Sequence, residues 1–137
     1  MKTAAYLNFN GNCAEAFEFY AKIFPGTGLH IMRQGDMKKD AVAPEKNWVM
    51  HAYLKIGDTD IMASDTFNFQ YDKPIGFHVS LSVDSPAEAE RIFGGLANNG
   101  GTITIKMEET FFAHKFGTVV DKWGTPWMIV SQKPMGG

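Results

Sequence analysis

The chain has little cysteine, little net charge and no long apolar run. Its single cysteine, Cys13, excludes an internal disulfide bond among the 137 residues. Such sparing use of cysteine is typical of a reducing compartment, and we predict the cytoplasm. The formal net charge of −2 gives no electrostatic reason to expect binding to nucleic acid or to an acidic membrane surface. No apolar run is long enough to span a bilayer.

Cys13 lies in the first turn of a predicted helix, where the pKa of a thiol can be lowered. No basic residue stands beside it in the sequence. Its interpretation as a small, partly buried helix residue is therefore favoured over that of a reactive thiol.

The clearest local pattern lies between Gly76 and Ile92, in the run GFHVSLSVDSPAEAERI. Its first half alternates between an apolar set and a polar set: Phe77, Val79, Leu81 and Val83 against His78, Ser80 and Ser82. This is the period of a strand with one buried face. Ser85 and Glu88 have the spacing of a capping box, which predicts a helix. The polar set must then face away from that helix.

A similar unit stands near the start of the chain. Leu7 and Phe9 alternate with Tyr6 and Asn8, and a cap pattern follows from Asn12. After each predicted helix the chain continues through further strands and a glycine-centred turn. Because these features recur in the same order, we interpret the chain as a duplicated βαβββ module.

The predicted fold class is α+β, in one domain covering residues 1–137. Module one covers about residues 1–68, with strands at 3–10, 29–34, 48–56 and 59–64, a helix at 12–24 and a loop at 35–47. A linker at 65–74 leads to module two, about 75–132, with strands at 76–83, 102–107, 115–121 and 125–132 and a helix at 85–98. The eight strands are expected to form a curved mixed sheet. Helices would cover its convex side, and the concave side would hold a ligand.

Two stretches, HVSLSVDSPAEAERIF and DKWGTPWMI, resemble the vicinal oxygen chelate superfamily. That superfamily includes glyoxalase I, extradiol dioxygenases, and fosfomycin and bleomycin resistance proteins. YLNFNGNCAEAFEFY, HAYLKIGDTDIMASD and ETFFAHKFGTVVDKWGTPWMI are similar to its PhnB-like branch, so the resemblance covers essentially the whole chain. Some members of this branch carry the label 3-demethylubiquinone 3-methyltransferase. The sequence has no Gly-rich strand–turn–helix loop of the kind used for nucleotide cofactors, and no cofactor is expected.

The resemblance also bears on metal binding. Metal-dependent members place a ligand on the first and last strand of each module, usually a His and then a Glu. Only His78 matches this pattern; the other positions fall on Ala4 or Ala5, Ile61 and Met128. Alanine and isoleucine donate nothing to a metal, and methionine suits only soft ions. We therefore expect no divalent metal.

His78 and His51 are the candidate catalytic residues, because a His titrates near neutrality and can carry a proton. Strand parity predicts that both open onto one cavity. Both could equally be hydrogen-bonded core or pocket histidines. Candidate ligand-binding residues share the predicted concave face or could stack on a planar ligand: Tyr6, Asn8, Tyr53, Ser80, Phe111, Trp123 and Trp127. The aromatic residues among them could instead close one end of the barrel.

Two functions remain open from the sequence. One is a protein that binds a small organic molecule without acting on it, as bleomycin resistance proteins do. The other is a metal-independent enzyme that uses His78 or His51 for proton transfer. The resemblance and the expected exposed sheet edges also predict a homodimer, with no nucleic-acid or membrane partner.

Overall fold

The chain folds into two compact units. The computed structural model describes residues 1–24, 26–37, 47–66 and 71–134. Unit 1 is Met1–Asp72 and unit 2 is Lys73–Gly137, so the division falls within the linker predicted at 65–74. Each unit contains helix and one four-stranded mixed sheet, sheet 1 in unit 1 and sheet 2 in unit 2, which confirms the α+β class. In the described parts of the chain, no helix is long and apolar enough to cross a membrane.

Unit 1 consists of β1 (Ala5–Phe9), α1 (Cys13–Ile23), β2 (Gly26–Arg33), α2 (Gln34–Met37), β3 (Val49–Ile56) and β4 (Thr59–Asp65). Its sheet has the order β1-β4-β3-β2, in which only the β1–β4 pair is parallel. The short α2 takes up the start of the segment predicted as a loop at 35–47. Residues 38–46 of that segment lie outside the described residues.

Unit 2 repeats this plan. It consists of β5 (Val79–Ser82), α3 (Pro86–Asn98), β6 (Thr102–Glu108), β7 (Ala113–Val120) and β8 (Pro126–Gln132). Its sheet has the order β5-β8-β7-β6, again with one parallel pair, β5–β8. The two units therefore share one strand order, as a duplicated βαβββ module requires.

Several strand boundaries differ from the prediction, and β2 begins at Gly26, three residues before its predicted start. β5 has only four residues, because its ladder with β8 runs from Val79 to Ser82 and does not reach the predicted start at Gly76. β7 begins at Ala113, two residues earlier than predicted, where Ala113 pairs with Gln132. His114, predicted to lie in a loop, is therefore an exposed residue of β7.

The two long helices begin in different ways. At α3, Ser85 Oγ accepts the backbone N–H of Glu88 at 3.1 Å and Pro86 occupies the first turn, as predicted. At α1, Asn12 makes no side-chain cap. The carboxylate of Asp65 replaces it: Oδ1 accepts the backbone N–H groups of Gly11 and Cys13 at 2.9 and 3.0 Å. A residue more than fifty positions away caps this helix, so local sequence could not reveal it.

Each helix covers one face of its own sheet. In unit 1, α1 contacts β2, β3 and β4, and the strand residues on that side are buried: Leu7, Phe9, Ala52, Leu54, Ile61 and Ala63. In unit 2, α3 contacts β6, β7 and β8 over a core that includes Ile92, Leu96, Val119, Trp127 and Ile129. Because strand side chains alternate between faces, the intervening residues of each sheet point away from the helix.

Candidate functional site

The side of sheet 1 turned away from α1 carries four of the nine site residues predicted from the sequence. We call it the polar face; it comprises Tyr6, Asn8, His30, Met32, His51, Tyr53, Met62 and Ser64. Strand register sets these residues in rows. Tyr6 pairs with Met62, Met62 with Tyr53, and Tyr53 with His30, so one row crosses all four strands. Asn8 pairs with Ser64, and His51 with Met32, in the next row.

Tyr6 and His51 meet on this face. The Tyr6 hydroxyl oxygen lies 3.4 Å from Nδ1 of His51, and the two ring centroids are 5.9 Å apart. Depending on the imidazole tautomer, the hydroxyl donates a hydrogen bond to Nδ1 or accepts one from Nδ1–H. Tyr6 is exposed and His51 half-buried. A phenol and an imidazole in contact can hydrogen-bond a polar ligand together, and the imidazole can also carry a proton.

Tyr53 lies in the centre of the polar face and contacts two further polar groups. Its ring centroid is 5.8 Å from that of His30 on β2. The nearby Asp60 carboxylate raises the pKa of Tyr53, first through its negative charge, with burial and a hydrogen bond from the phenol adding to the effect. Tyr53 therefore stays a neutral hydroxyl at physiological pH, and Asp60 holds its proton in place.

His78 and Ser80 belong to unit 2. His78 precedes β5 and is exposed, and Ser80 is an exposed residue of β5 that pairs with Met128. Val79 and Leu81 are less exposed than their polar neighbours, as the predicted alternation requires. Because His78 and His51 lie in different units, their meeting in one cavity stays a prediction.

Trp127 does not lie on an open face. It is 1 % exposed, and its indole Nε1 donates to Oδ2 of Asp121 at 2.9 Å. Trp127 pairs with Val79 and Val119, whose side of the sheet faces α3. Strand parity places its ring in the core of unit 2, and whether the ring contacts a ligand stays a prediction.

The other predicted aromatic residues lie in connections between strands. Trp123 is half-buried in the turn after β7, with the ammonium nitrogen of Lys122 at 5.6 Å from its ring centroid. Phe111 is 93 % exposed in the loop between β6 and β7. Whether either residue binds a ligand stays a prediction.

The strand register changes one of the positions that were expected to correspond to the metal ligands of metal-dependent superfamily members. Counting four residues from Gly57 and Gly124 gives Ile61 and Met128, but Ile61 is buried on the α1 side and pairs with Ala5. The β3–β4 turn is only Gly57 and Asp58, whereas β7 and β8 are joined by residues 121–125. In the sheet, the residue that corresponds to Met128 is Met62.

The resulting donor set does not fit a hard divalent metal. Pairing Tyr6 with Met62 and Ser80 with Met128 makes Ala4 the counterpart of His78. The four positions are then Ala4, Met62, His78 and Met128, which include no carboxylate. Among the described residues, no three His, Cys, Asp or Glu side chains are grouped to hold a metal ion.

Cys13 is fully buried at the start of α1. Burial raises the pKa of its thiol, and the carboxylate of Asp65 raises it further, while Arg33 acts weakly in the opposite direction. The structure thus supports a buried, inert helix residue and not a nucleophile.

Comparison with known proteins places the chain in a family. Residues 1–130 match the model of the family described as 3-demethylubiquinone-9 3-methyltransferase. The chain belongs to this family. It is 36 % identical to protein YjdN of Escherichia coli K12, over 98 % of this chain and 99 % of that protein. It is 39 % identical to the crystal structure of PA1353 from Pseudomonas aeruginosa, with a TM-score of 0.87, covering 98 % of this chain and 99 % of that one.

More distant solved structures share the fold. A Bacillus cereus protein titled putative 3-demethylubiquinone-9 3-methyltransferase, PhnB protein, is 22 % identical over 96 % of this chain and 99 % of that one, with a TM-score of 0.73. A glyoxalase/bleomycin resistance protein from Albidiferax ferrireducens is 11 % identical over 97 % and 99 %, with a TM-score of 0.71. These structures confirm the fold that the resemblance to the vicinal oxygen chelate superfamily implies, and the family description is the label that some members of its PhnB-like branch carry.

Sequence reasoning missed several members of the polar face: His30, Met32, Met62 and Ser64, together with the neighbouring Asp60. The alternation of β4 could have revealed Met62 and Ser64, because Ile61 and Ala63 are apolar and adjacent to them. His30 and Met32 alternate with Leu29 and Ile31 in the same way. Only the β2–β3 pairing shows that His30 lies beside Tyr53.

Proposed function

We propose that this PhnB-like protein binds a small organic molecule with a planar, hydroxylated ring on the polar face of sheet 1, without a divalent metal. The observation that carries the proposal is the contact between Tyr6 and His51 on that face. A second ring contact, between His30 and Tyr53, lies on the same face of the sheet. Ligand sites commonly combine apolar and aromatic surface with a few fixed polar groups.

The rows of the sheet suggest how a ring would be held. Tyr6 and Tyr53 lie on either side of Met62 in the same row. Neighbouring strands are about 4.8 Å apart, so the two tyrosine backbones lie about 9.6 Å apart, which leaves room for one ring above the Met62 thioether. Thioether sulfur and aromatic edges make favourable contacts with such rings. The Tyr6–His51 pair would then hydrogen-bond a ring hydroxyl or carbonyl.

The family description names 3-demethylubiquinone, which has a planar ring with oxygen substituents, and a soluble short-chain analogue is therefore a suitable first probe. Isothermal titration would compare the wild type with Tyr6→Phe and His51→Ala. We expect each variant to weaken binding at least tenfold, because each loses a hydrogen-bond group at the ligand. His114→Ala, which removes an exposed imidazole of unit 2, is the matched control and should bind like the wild type.

Equal affinity in the wild type and both variants would exclude the polar face as the site. Binding that is lost in His78→Ala and kept in His51→Ala would place the function in unit 2 instead. If the analogue does not bind, a thermal-shift screen of other hydroxylated aromatic compounds against the same variants tests the face itself. A compound that stabilises the wild type and Tyr6→Phe equally would also contradict the proposal.

Proton transfer by His51 is the second candidate function, and the same contact favours it. A tyrosine hydroxyl beside Nδ1 can hold the imidazole ring in place while the other nitrogen takes up a substrate proton. Incubating a bound ligand with the protein in D₂O and following the loss of its C–H signals by NMR would reveal such transfer. His51→Ala should then lower the exchange rate about a hundredfold with little change in affinity. A bound ligand whose C–H signals never exchange would identify a binder.

The single cysteine remains compatible with the predicted cytoplasmic location, which we retain as part of the proposal. Cys13 is buried and reduced, and the described residues need no disulfide for their fold. Methyl transfer, by contrast, is not part of the proposal, since the sequence contains no Gly-rich nucleotide loop.

A further inference from the structure

Two thioethers lie around one imidazole on the polar face of sheet 1. Met32 of β2 pairs directly with His51 of β3. Met62 of β4 pairs with Tyr53, which is two residues after His51 on the same face. Met62 is therefore the diagonal neighbour of His51, on the other side of β3 from Met32. We call Met32, His51 and Met62 the Met–His cluster.

The spacing of the Met–His cluster suits a single bound ion. Directly opposed residues of neighbouring strands have Cβ atoms about 4.5–5.5 Å apart, and diagonal neighbours are about 7–8 Å apart at Cα. The methionine side chain is long, unbranched and flexible, so its sulfur can cover either distance. Met32 is 43 % exposed, and His51 and Met62 are half-buried. All three side chains are thus open to an ion from solvent.

The contact with Tyr6 prepares the imidazole of His51 for a metal. The Tyr6 hydroxyl oxygen lies 3.4 Å from Nδ1 of His51. When Nδ1 carries the proton and donates it to this oxygen, the lone pair is on Nε2. Histidines that bind metals commonly donate their other ring N–H to an oxygen in this way, which fixes the tautomer and the orientation of the ring. The ligand atom of His51 is then Nε2.

The donor atoms of the Met–His cluster select the kind of metal. Thioether sulfur suits soft ions, above all monovalent copper, and imidazole suits copper as well. Calcium, magnesium and manganese prefer oxygen ligands, and zinc sites in proteins are built from thiolates, imidazoles and carboxylates. The cluster supplies two thioethers and one imidazole, with neither thiolate nor carboxylate. Cu(I) is therefore the ion that fits all three donors.

We infer that the Met–His cluster binds one Cu(I) ion, through the sulfurs of Met32 and Met62 and Nε2 of His51. The reducing compartment proposed for this chain keeps copper in the monovalent state. This inference goes beyond the organic ligand proposed for the same face and does not rest on it. The ion uses the Met62 thioether, above which the ring of that ligand is proposed to lie, so the two are alternative occupants of the face.

Anaerobic titration of the full chain into the coloured complex of Cu(I) with bicinchoninate tests the inference. The wild type should withdraw about one equivalent of copper from this chelator, and the loss of colour gives the affinity. Met32→Leu and His51→Ala should each weaken the affinity about tenfold or more, because each removes one ligand of the ion. Leucine and methionine have similar volumes and Met32 is 43 % exposed, so Met32→Leu should keep the fold, which circular dichroism would check.

Met107→Leu and His114→Ala are the matched controls. Met107 is a half-buried methionine and His114 an exposed histidine, and both belong to unit 2. Both variants should bind copper like the wild type. A wild type that withdraws no copper, or that binds it no more tightly than Met32→Leu and His51→Ala do, would overturn the inference. Zinc bound as tightly as Cu(I) and lost in the same variants would also overturn it, because the site would then not be selective for a soft ion. Since no organic compound is present, a negative result leaves the ligand proposal standing.

The methyl signals of methionine locate the ion directly. Ag(I) shares the ligand preference of Cu(I) and is stable in air, so it serves as the probe in NMR of a chain labelled at its methionine methyl groups. The signals of Met32 and Met62 should shift on titration, and those of Met107 and Met128 should not. Each signal is assigned from its own Met→Leu variant. Shifts confined to Met1, which is exposed at the start of the chain, would contradict the proposed site.

Discussion

The carboxylate of Asp65 closes over the start of α1, with Oδ1 3.0 Å from the backbone nitrogen of Cys13. The same carboxylate accepts the N–H of Gly11 at 2.9 Å and, through Oδ2, the N–H of Val49 at 2.8 Å. One buried side chain thus joins the end of β4 to the loop before α1 and to the start of β3. Three backbone donors in unit 1 depend on it.

Replacing Asp65 should destabilise the chain strongly. Asp65→Asn has the same shape but presents an NH₂ group to at least one of the three donors. We expect the free energy of unfolding to fall by about 2–4 kcal/mol, because a buried N–H loses its partner and another donor faces it. Urea unfolding would measure the change. Asp58→Asn, in the exposed β3–β4 turn, should change it by less than about 0.5 kcal/mol; equal values for the two variants would contradict the role of Asp65.

The thiol of Cys13 should be unreactive in the folded protein. Burial and the Asp65 carboxylate raise its pKa, so almost no thiolate is present near neutral pH. A colorimetric thiol reagent at pH 8 should react slowly with the native chain and rapidly with the chain unfolded in urea. Ser82→Cys, on an exposed strand position, should add one fast-reacting thiol. Fast reaction of the native wild type would show that Cys13 is accessible after all.

Tyr53 should lose its proton only above the ordinary tyrosine value of about 10. The Asp60 carboxylate raises the pKa of Tyr53, because a second negative charge beside it is unfavourable. The difference in ultraviolet absorbance between the wild type and Tyr53→Phe during alkaline titration isolates this group. Asp60→Asn should lower the midpoint, and Asp58→Asn should not.

The raised pKa of Tyr53 makes the stability of the folded chain depend on pH in the alkaline range. The folded chain keeps the Tyr53 proton at a pH where the unfolded chain has begun to lose it. Stability from this group therefore falls as pH rises from about 10 through the folded value. An unchanged midpoint in Asp60→Asn would remove Asp60 as the cause.

The purified protein should contain far less than one equivalent of divalent metal. Ala4, Met62 and Met128 leave His78 without the carboxylates that a hard metal prefers. Elemental analysis of protein purified without a metal-affinity tag, before and after dialysis against metal, is the measurement. Zinc, nickel, manganese or iron near one equivalent in either sample would contradict the prediction.

The sequence predicted the fold well because polar and apolar residues alternate clearly along the strands. The polar and apolar sets of β1, β3 and β5 are on the expected sides, and Tyr6, His51 and Tyr53 share a face as parity required. Helix α3 begins as predicted, because its cap and first turn are contiguous in sequence. Local patterns were sufficient wherever the interacting residues are close along the chain.

The sequence was insufficient where the place of a residue depends on pairing with residues far away along the chain. A fixed spacing from the turn glycine predicts Ile61, but the two turns differ in length, so Met62 takes that place. The α1 cap was expected from Asn12 but comes from Asp65. The aromatic character of Trp127 does not reveal its location, and only its strand parity and its bond to Asp121 show that its ring lies in the core of unit 2. Register and long-range hydrogen bonds were needed in all three cases.

The parallel pairing that closes each sheet also sets the order in which the units can be completed. Ala5 pairs with Ile61, and Val79 with Trp127. The first strand of each unit therefore cannot pair until its neighbour in that sheet, about 50 residues later, has been synthesised. Closing the long loop between the two strands slows folding. During translation, β1 and β5 each remain an unpaired edge until the last strand of their own unit emerges. The last strand of sheet 1 ends at Asp65, before the first strand of sheet 2 begins. The first sheet can therefore fold while the second is still being synthesised.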